Sequence, residues 1–281
     1  MRVPKLTPRA NDAHKGTCGR VLIVGGSRGM TGAAALSGVA ALNSGAGLVT
    51  VAVPDRCLET VAAHSLCFMT LPLEDDEKGR IDTAALETLR PYVEKATSIG
   101  IGPGLSQSKG VSYVVGQLFR RYAKCMVIDA DALNALADDP DGVMGSAGSR
   151  ILTPHVGEFR RLVGKPDLSA EDCRAAAIEL ARERQLIVVL KGNRTLVTNG
   201  SEVYENETGN PGMATGGSGD VLTGVITALL GQGYSELDAA VLGVHVHGLA
   251  GDIACERFGE ISMNANDIAD SLSTAFQQLR Q

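Results

Sequence analysis

The chain has 281 residues, 44% hydrophobic and 21% charged, with a formal net charge of −6, a composition that suits a soluble globular protein with a large core. This acidic balance, with a pI near 5.4, excludes a sequence-independent nucleic-acid binder, which carries a basic face. The sequence shows neither a signal-type apolar segment nor an apolar run of membrane-spanning length, so a cytoplasmic location without a membrane or nucleic-acid partner is expected.

Arg20 to Gly26 reads as a buried strand leading into a glycine turn, Ala33 to Ser44 as an alanine-rich helix, and Leu48 to Val53 as a β-branched strand stopped by Pro54. Such a βαβ unit implies two parallel strands with a right-handed crossover. The alternation continues through a helix over Asp82 to Lys95, a strand over Ala96 to Ile101, a helix over Val111 to Tyr122 and a strand over Cys125 to Asp129. Next come a short strand at Arg150 to Thr153, a serine-capped helix at Ser169 to Arg184 and a strand at Leu186 to Leu190. Thr195 to Thr198 and Glu202 to Tyr204 flank Asn199-Gly200, a hairpin signal that predicts an antiparallel extension of the sheet. Helices are predicted at Val221 to Leu230, Leu237 to Phe258 and Asn264 to Leu279. No linker, charge block or repeat interrupts this rhythm, which predicts one domain across residues 1–281: an α/β fold with a mostly parallel sheet between two helical layers.

Six cysteines at positions 18, 57, 67, 125, 173 and 255 form neither a Cys-x-x-Cys pair nor a ligand cluster, as expected for reduced thiols. The chemistry-bearing motifs instead fall at strand ends, where ligands of doubly wound sheets bind. Gly25-Gly26-Ser27-Arg28-Gly29-Met30-Thr31-Gly32 lacks the dinucleotide spacing and has no acid at the end of the second strand, so it is either a ligand-contacting turn or a tight connection. Gly100 to Leu105 leaves backbone amides accessible. Asp129-Ala130-Asp131 offers carboxylates for a hydrated magnesium ion or a hydroxyl, although Asp131 can also serve only as a helix cap. Thr153 to Glu158 supplies His155 for a substrate and Glu158 for a water-mediated metal contact. Lys191-Gly192-Asn193-Arg194-Thr195 places an ammonium, a turn and a hydroxyl where polyphosphate can be held. His245 and His247 are two apart on a helix, do not share a face, and are expected to pack rather than bind metal.

The densest signal is Asn210-Pro-Gly-Met-Ala-Thr-Gly216-Gly217-Ser218-Gly219-Asp220, a small-residue loop delivering a carboxylate at a helix start. Such a loop turns amides toward an anion; its bland reading is a flexible turn ending in a cap.

Taken in order, these motifs resemble the ribokinase-like superfamily, and within it the ADP-dependent NAD(P)H-hydrate dehydratases. The resemblance runs from His14-Lys15-Gly16 through Gly25-Gly26-Ser27, Gly102-Pro103-Gly104, Asp129 to Leu133, Thr153 to Glu158 and Lys191-Gly192 to Gly216 to Asp220. It departs at Val156, where proline is expected after His155, and at Met30-Thr31, where Met-Pro is usual; neither position carries an assigned group.

The resemblance implies a three-layer α/β/α sandwich and ADP-dependent dehydration of the S form of hydrated NADH or NADPH, yielding the repaired cofactor, AMP and phosphate. It implies Asp220 as catalytic acid-base, with Gly216, Gly217, Ser218 and Gly219 as the phosphate loop. It assigns Ala34, Gly104, His155 and Asp220 to the hydrated dinucleotide, with Ala33 as the alternative to Ala34. Lys191, Gly192, Asn193, Arg194, Thr195 and Gly219 fall to the ADP site, and Glu158 and Asp131 to the outer shell of Mg2+. A homo-oligomer, by resemblance a tetramer, and a stand-alone dehydratase acting with a separate NAD(P)H-hydrate epimerase are further expectations. Two rivals remain open: a hydroxymethylpyrimidine- or hydroxyethylthiazole-type kinase of the same fold, and a non-catalytic nucleotide-binding module.

Overall fold

The structure, a computed structural model, describes residues 2–280. A nine-stranded sheet runs in the order β3-β2-β1-β4-β5-β6-β7-β8-β9. Its strands are β1 (Arg20–Val24), β2 (Leu48–Pro54), β3 (Met69–Leu73), β4 (Ser98–Ile101), β5 (Cys125–Ile128), β6 (Arg150–Leu152), β7 (Ile187–Leu190), β8 (Leu196–Thr198) and β9 (Val203–Glu205). Pairing is parallel from β3 through β7 and antiparallel from β7 to β9, as the alternating first half and the Asn199-Gly200 hairpin predict. The strand order reverses direction between β1 and β4, making their carboxyl ends the switch point where a crevice opens.

Side-chain alternation along the strands builds two cores. Leu22 and Val24 join Ile99, Ile101, Met126 and Ile128 beneath α3 (Ala85–Lys95), α4 (Lys109–Arg121) and α5 (Ala130–Ala137). On the other face Val21, Ile23, Val49 and Val51 pack under α1 (Thr31–Asn43), and Val127, Ile151, Val189 and Val197 under α8 (Ser218–Gly231), α9 (Glu236–Ser262) and α10 (Ala265–Gln278). Two short helices, α2 (Leu58–Ala62) and α6 (Val156–Leu162), and α7 (Ala170–Arg184) complete the layers.

Helix α8 lies unusually close to both α1 and the sheet. A side chain at Gly224 would collide with the Ser37 carbonyl at 2.2 Å, and one at Gly100 with Thr227 Oγ1 at 2.7 Å. That proximity sets the start of α8 over the ends of β4 and β5. Regular helix in α9 ends at Phe258, as predicted, because Gly259 adopts φ 75° and breaks the run. The small residues of α9 pack inside this chain: Gly243 against Ile226, Gly248 against Thr208 and Gly251 against Met213. Among the described residues, no helix is long and apolar enough to cross a membrane.

Candidate active site

The ladder of backbone hydrogen bonds continues past the regular strands and lines up their motifs. Gly26 N–H donates to the Pro103 carbonyl at 2.7 Å, Asp129 N–H to Ile101 at 3.0 Å, Thr153 N–H to Ile128 at 3.0 Å and Lys191 N–H to Pro154 at 2.8 Å. The glycine turn after β1, the Gly102-Pro103-Gly104 turn after β4, Asp129, His155 and Lys191 therefore share one rim of the sheet. The left-handed backbone of Gly102 (φ 129°) needs a glycine, since a Cβ there would meet the Asp129 carbonyl at 1.8 Å.

Across this rim comes the glycine loop. Gly217 has φ 93° and is the N-cap of α8, placing Ser218, Gly219 and Asp220 in its first turn. The Val221 amide is taken by the Gly217 carbonyl at 3.1 Å, whereas the amides of Gly219 and Asp220 have no acceptor among the described residues. Free amides at a helix start form an anion site. Ser37 Oγ ties the Asp220 carbonyl to α1 at 2.8 Å, sharing its single proton with the Ala33 carbonyl at 3.1 Å.

Below the loop, Asp129 is only 1% exposed. One of its oxygens accepts from Lys191 Nζ at 2.7 Å and the other from Thr223 Oγ1 at 2.7 Å. Glu158 Oε2 is 3.8 Å from the same ammonium. The absent side chain of Gly219 makes room, because a Cβ there would sit 3.3 Å from Lys191 Nζ. Burial pulls the lysine down, but Asp129 and Glu158 outweigh it and hold Lys191 above its ordinary value. Burial also pushes Glu158 up, against the pull of Lys191. Asp220 is pushed up to about 7, first by burial and then by repulsion from Asp129, with Lys191 opposing and Asp131 and Glu158 adding. A carboxyl poised there can accept a proton near neutral pH.

His155 and Glu158 form a reciprocal cap on α6: His155 Nδ1 accepts from Glu158 N–H at 3.1 Å, and Glu158 Oε2 from His155 N–H at 2.8 Å. The imidazole is left exposed over the rim. Asp131 does not cap α5. Its Oδ2 holds the Ser106 amide at 2.7 Å, bracing the turn that contains Gly104. Of the two alanine alternatives, Ala34 is fully buried beneath Gly25 and Gly26, while Ala33 is half-buried and borders Gly104. At this step the open side-chain surface belongs to Ala33, and Ala34 offers its backbone alone.

Gly192, Asn193 and Arg194 are exposed on the turn after β7, with Thr195 Oγ1 donating to the Gly192 carbonyl at 3.0 Å. Arg194 pairs with Glu205 of the edge strand β9 at 3.1 Å. Sequence reasoning missed Asp129 as the partner of Lys191, Ser37 as the tie on Asp220, and His247, whose Nε2 lies 3.3 Å from Ser218 Oγ. Among the described residues no group of three or more histidine, cysteine or carboxylate side chains is arranged to hold a metal. Clefts of about 450 Å3 beside Val143, Arg161 and Leu180, and of about 290 Å3 beside His14 and Tyr234, lie away from this rim.

Residues 21–274 match the NAD(P)H-hydrate dehydratase family. The chain is 43% identical over 279 residues to the bifunctional NAD(P)H-hydrate repair enzyme Nnr of Moorella thermoacetica, covering 99% of this chain and 53% of that protein. It thus spans about half the length of the curated relatives it matches. Among solved structures, the ADP/ATP-dependent NAD(P)H-hydrate dehydratase of Bacillus subtilis, co-crystallised with ATP and Mg2+, superposes with a TM-score of 0.83 at 27% identity, covering 98% of this chain and 95% of that one. A ribokinase-like superfamily protein from Enterococcus faecalis gives 0.83 at 28% identity, covering 97% and 92%.

Proposed function

The chain belongs to the NAD(P)H-hydrate dehydratase family, and on that premise we propose that it is a lyase that dehydrates the S form of hydrated NADH or NADPH at the expense of ADP. The observation that carries the reading is Asp220 at the start of α8, pushed up to about 7 beside two free amides. Asp220 takes the proton of the substrate hydroxyl as that oxygen attacks the β-phosphorus of ADP. The new O–P bond forms as the bond to the α-phosphate oxygen breaks, releasing AMP. The phosphorylated oxygen then leaves as phosphate, and loss of a proton from the neighbouring ring carbon restores the double bond. The free amides of Gly219 and Asp220, at the end of the Gly216-Gly217-Ser218-Gly219 loop, stabilise charge on the phosphoryl group in transit.

The ADP site comprises Lys191, Gly192, Asn193, Arg194, Thr195 and Gly219; the dinucleotide site comprises Gly104, His155, Asp220 and the Ala33-Ala34 step. Glu158 and Asp131, carboxylates already engaged by backbone amides, would hold Mg2+ through water, and the ion would supply charge neutralisation. One domain over residues 1–281, a homotetramer, a cytoplasmic location and an NAD(P)H-hydrate epimerase supplying the S form complete the proposal. The kinase and nucleotide-sensor readings are not favoured by the family membership.

The deciding assay incubates the protein with hydrated NADH, Mg2+ and ADP or ATP and follows nicotinamide absorbance and phosphate release. Recovery of NADH with stoichiometric phosphate, and greater activity with ADP, is expected. No recovery with either nucleotide, or accumulation of a stable phosphorylated hydrate, would overturn the reading.

A further inference from the structure

Helix α9 holds the glycine loop from behind. At the loop's entry Asp252 accepts from Gly209 N–H and Asn210 Nδ2, both at 2.9 Å. At its exit His247 Nε2 lies 3.3 Å from Ser218 Oγ, with both residues buried. Burial pulls this imidazole down to about 4, against a smaller upward pull from the Ser218 backbone, so the contact is made by a neutral ring. His247 faces the back of the loop, and Ser218 is the residue that directly precedes the free amides of Gly219 and Asp220.

We infer that His247 is a positioning residue for phosphoryl transfer: by fixing Ser218 it aims the Gly219 and Asp220 amides, and the Asp220 carboxylate with them, at a single phosphoryl group. This inference rests on the reading of the loop as a phosphoryl-transfer centre. The fixed orientation matters because preorganised donors stabilise charge only when they converge on it. Phenylalanine keeps most of the ring volume and removes the nitrogen; glutamine returns a nitrogen at similar reach.

The test compares ADP and AMP affinity by calorimetry, together with turnover, in the wild type, His247→Phe, His247→Gln, Ser218→Ala and the His247→Phe/Ser218→Ala double variant. AMP lacks the phosphoryl group to be transferred. His247→Phe is expected to lower ADP affinity and kcat each about tenfold while AMP affinity stays within about twofold. His247→Gln should regain most of the loss, and the double variant should be no weaker than His247→Phe alone. Equal loss of ADP and AMP affinity, no rescue by glutamine, or multiplied losses in the double variant would overturn the inference. Wild-type ADP binding without repair of hydrated NADH would instead defeat the dehydratase reading and leave the ADP-to-AMP comparison to decide the role of His247.

Discussion

Lys191 from the end of β7 and Asp129 from the end of β5 meet at 2.7 Å directly beneath the first turn of α8. Removing one partner of such a buried pair strands the other charge, at a cost of about 3–5 kcal/mol. Lys191→Met is therefore expected to lower the unfolding free energy by about 3 kcal/mol and to weaken ADP binding at least tenfold, since a phosphate loses its cation. Adding Asp129→Leu should restore stability without restoring ADP affinity. Denaturant titration with calorimetry checks both, and a double variant as unstable as Lys191→Met would show that the stranded aspartate was not the cause.

Gly219 and Gly217 should fail differently when changed to alanine. Gly219 is helical, and its added Cβ would lie 3.3 Å from Lys191 Nζ and 3.7 Å from Asp129 Oδ2, so the lysine must shift while the helix gains about 1 kcal/mol of propensity. Thermal melts should show little loss, and KM for ADP should rise about tenfold. At Gly217 the left-handed φ of 93° and a Leu36 methyl 2.6 Å from the new Cβ oppose alanine directly, so stability should fall by about 1–3 kcal/mol. Matching melting temperatures in the two variants would refute the distinction.

What the sequence made legible was whatever repeats locally. β1, β2 and β4 are apolar runs flanked by glycine, and the Asn199-Gly200 turn announces the antiparallel end, although the observed loop runs through Glu202 with Asn199 Oδ1 holding two amides. Strand β3 was not legible, because Pro72 and an exposed Met69 leave no β-branched run; it survives as an edge strand, where a missing amide is tolerated. Each short motif showed its residue types but not its partners. Asp129 and Lys191 are 62 residues apart, and only the parallel stacking of β5, β6 and β7 brings them together. His247 reads as one more packing residue of an apolar helix until its ring is seen against Ser218.

Arg150 provides a contrast away from the rim. It is 1% exposed, has no carboxylate partner among the described residues, and donates to the carbonyls of Lys124, Ser149, Leu118, Phe119 and Tyr122, which closes the carboxyl end of α4 over β6. Burial pulls it down to about 10, still protonated at neutral pH. Arg150→Met fills the space yet leaves several buried carbonyls without donors, so a stability loss of about 2–4 kcal/mol is expected with KM for ADP unchanged. An altered KM would mean that the end of α4 communicates with the site.

Asp220 links activity and stability through one proton. Its folded value of about 7 lies above the ordinary 3.8. If Asp220 must be ionised to accept the hydroxyl proton, kcat/KM should rise with pH through an inflection near 7. The sign for stability is opposite. Below about 4 the group is protonated whether the chain is folded or not, and contributes nothing; between 4 and 7 the unfolded chain ionises first, and above 7 the folded state bears the full cost of a buried charge facing Asp129. Asp220→Asn removes that cost. The variant should lose turnover by several orders of magnitude, keep most of its ADP affinity, and melt several degrees higher than wild type at pH 8 but not at pH 4. Melting curves at the two pH values, set beside the pH–rate profile, separate a base kept under strain for chemistry from a carboxylate that caps a helix: a cap would make Asp220→Asn less stable at pH 8, with no inflection near 7.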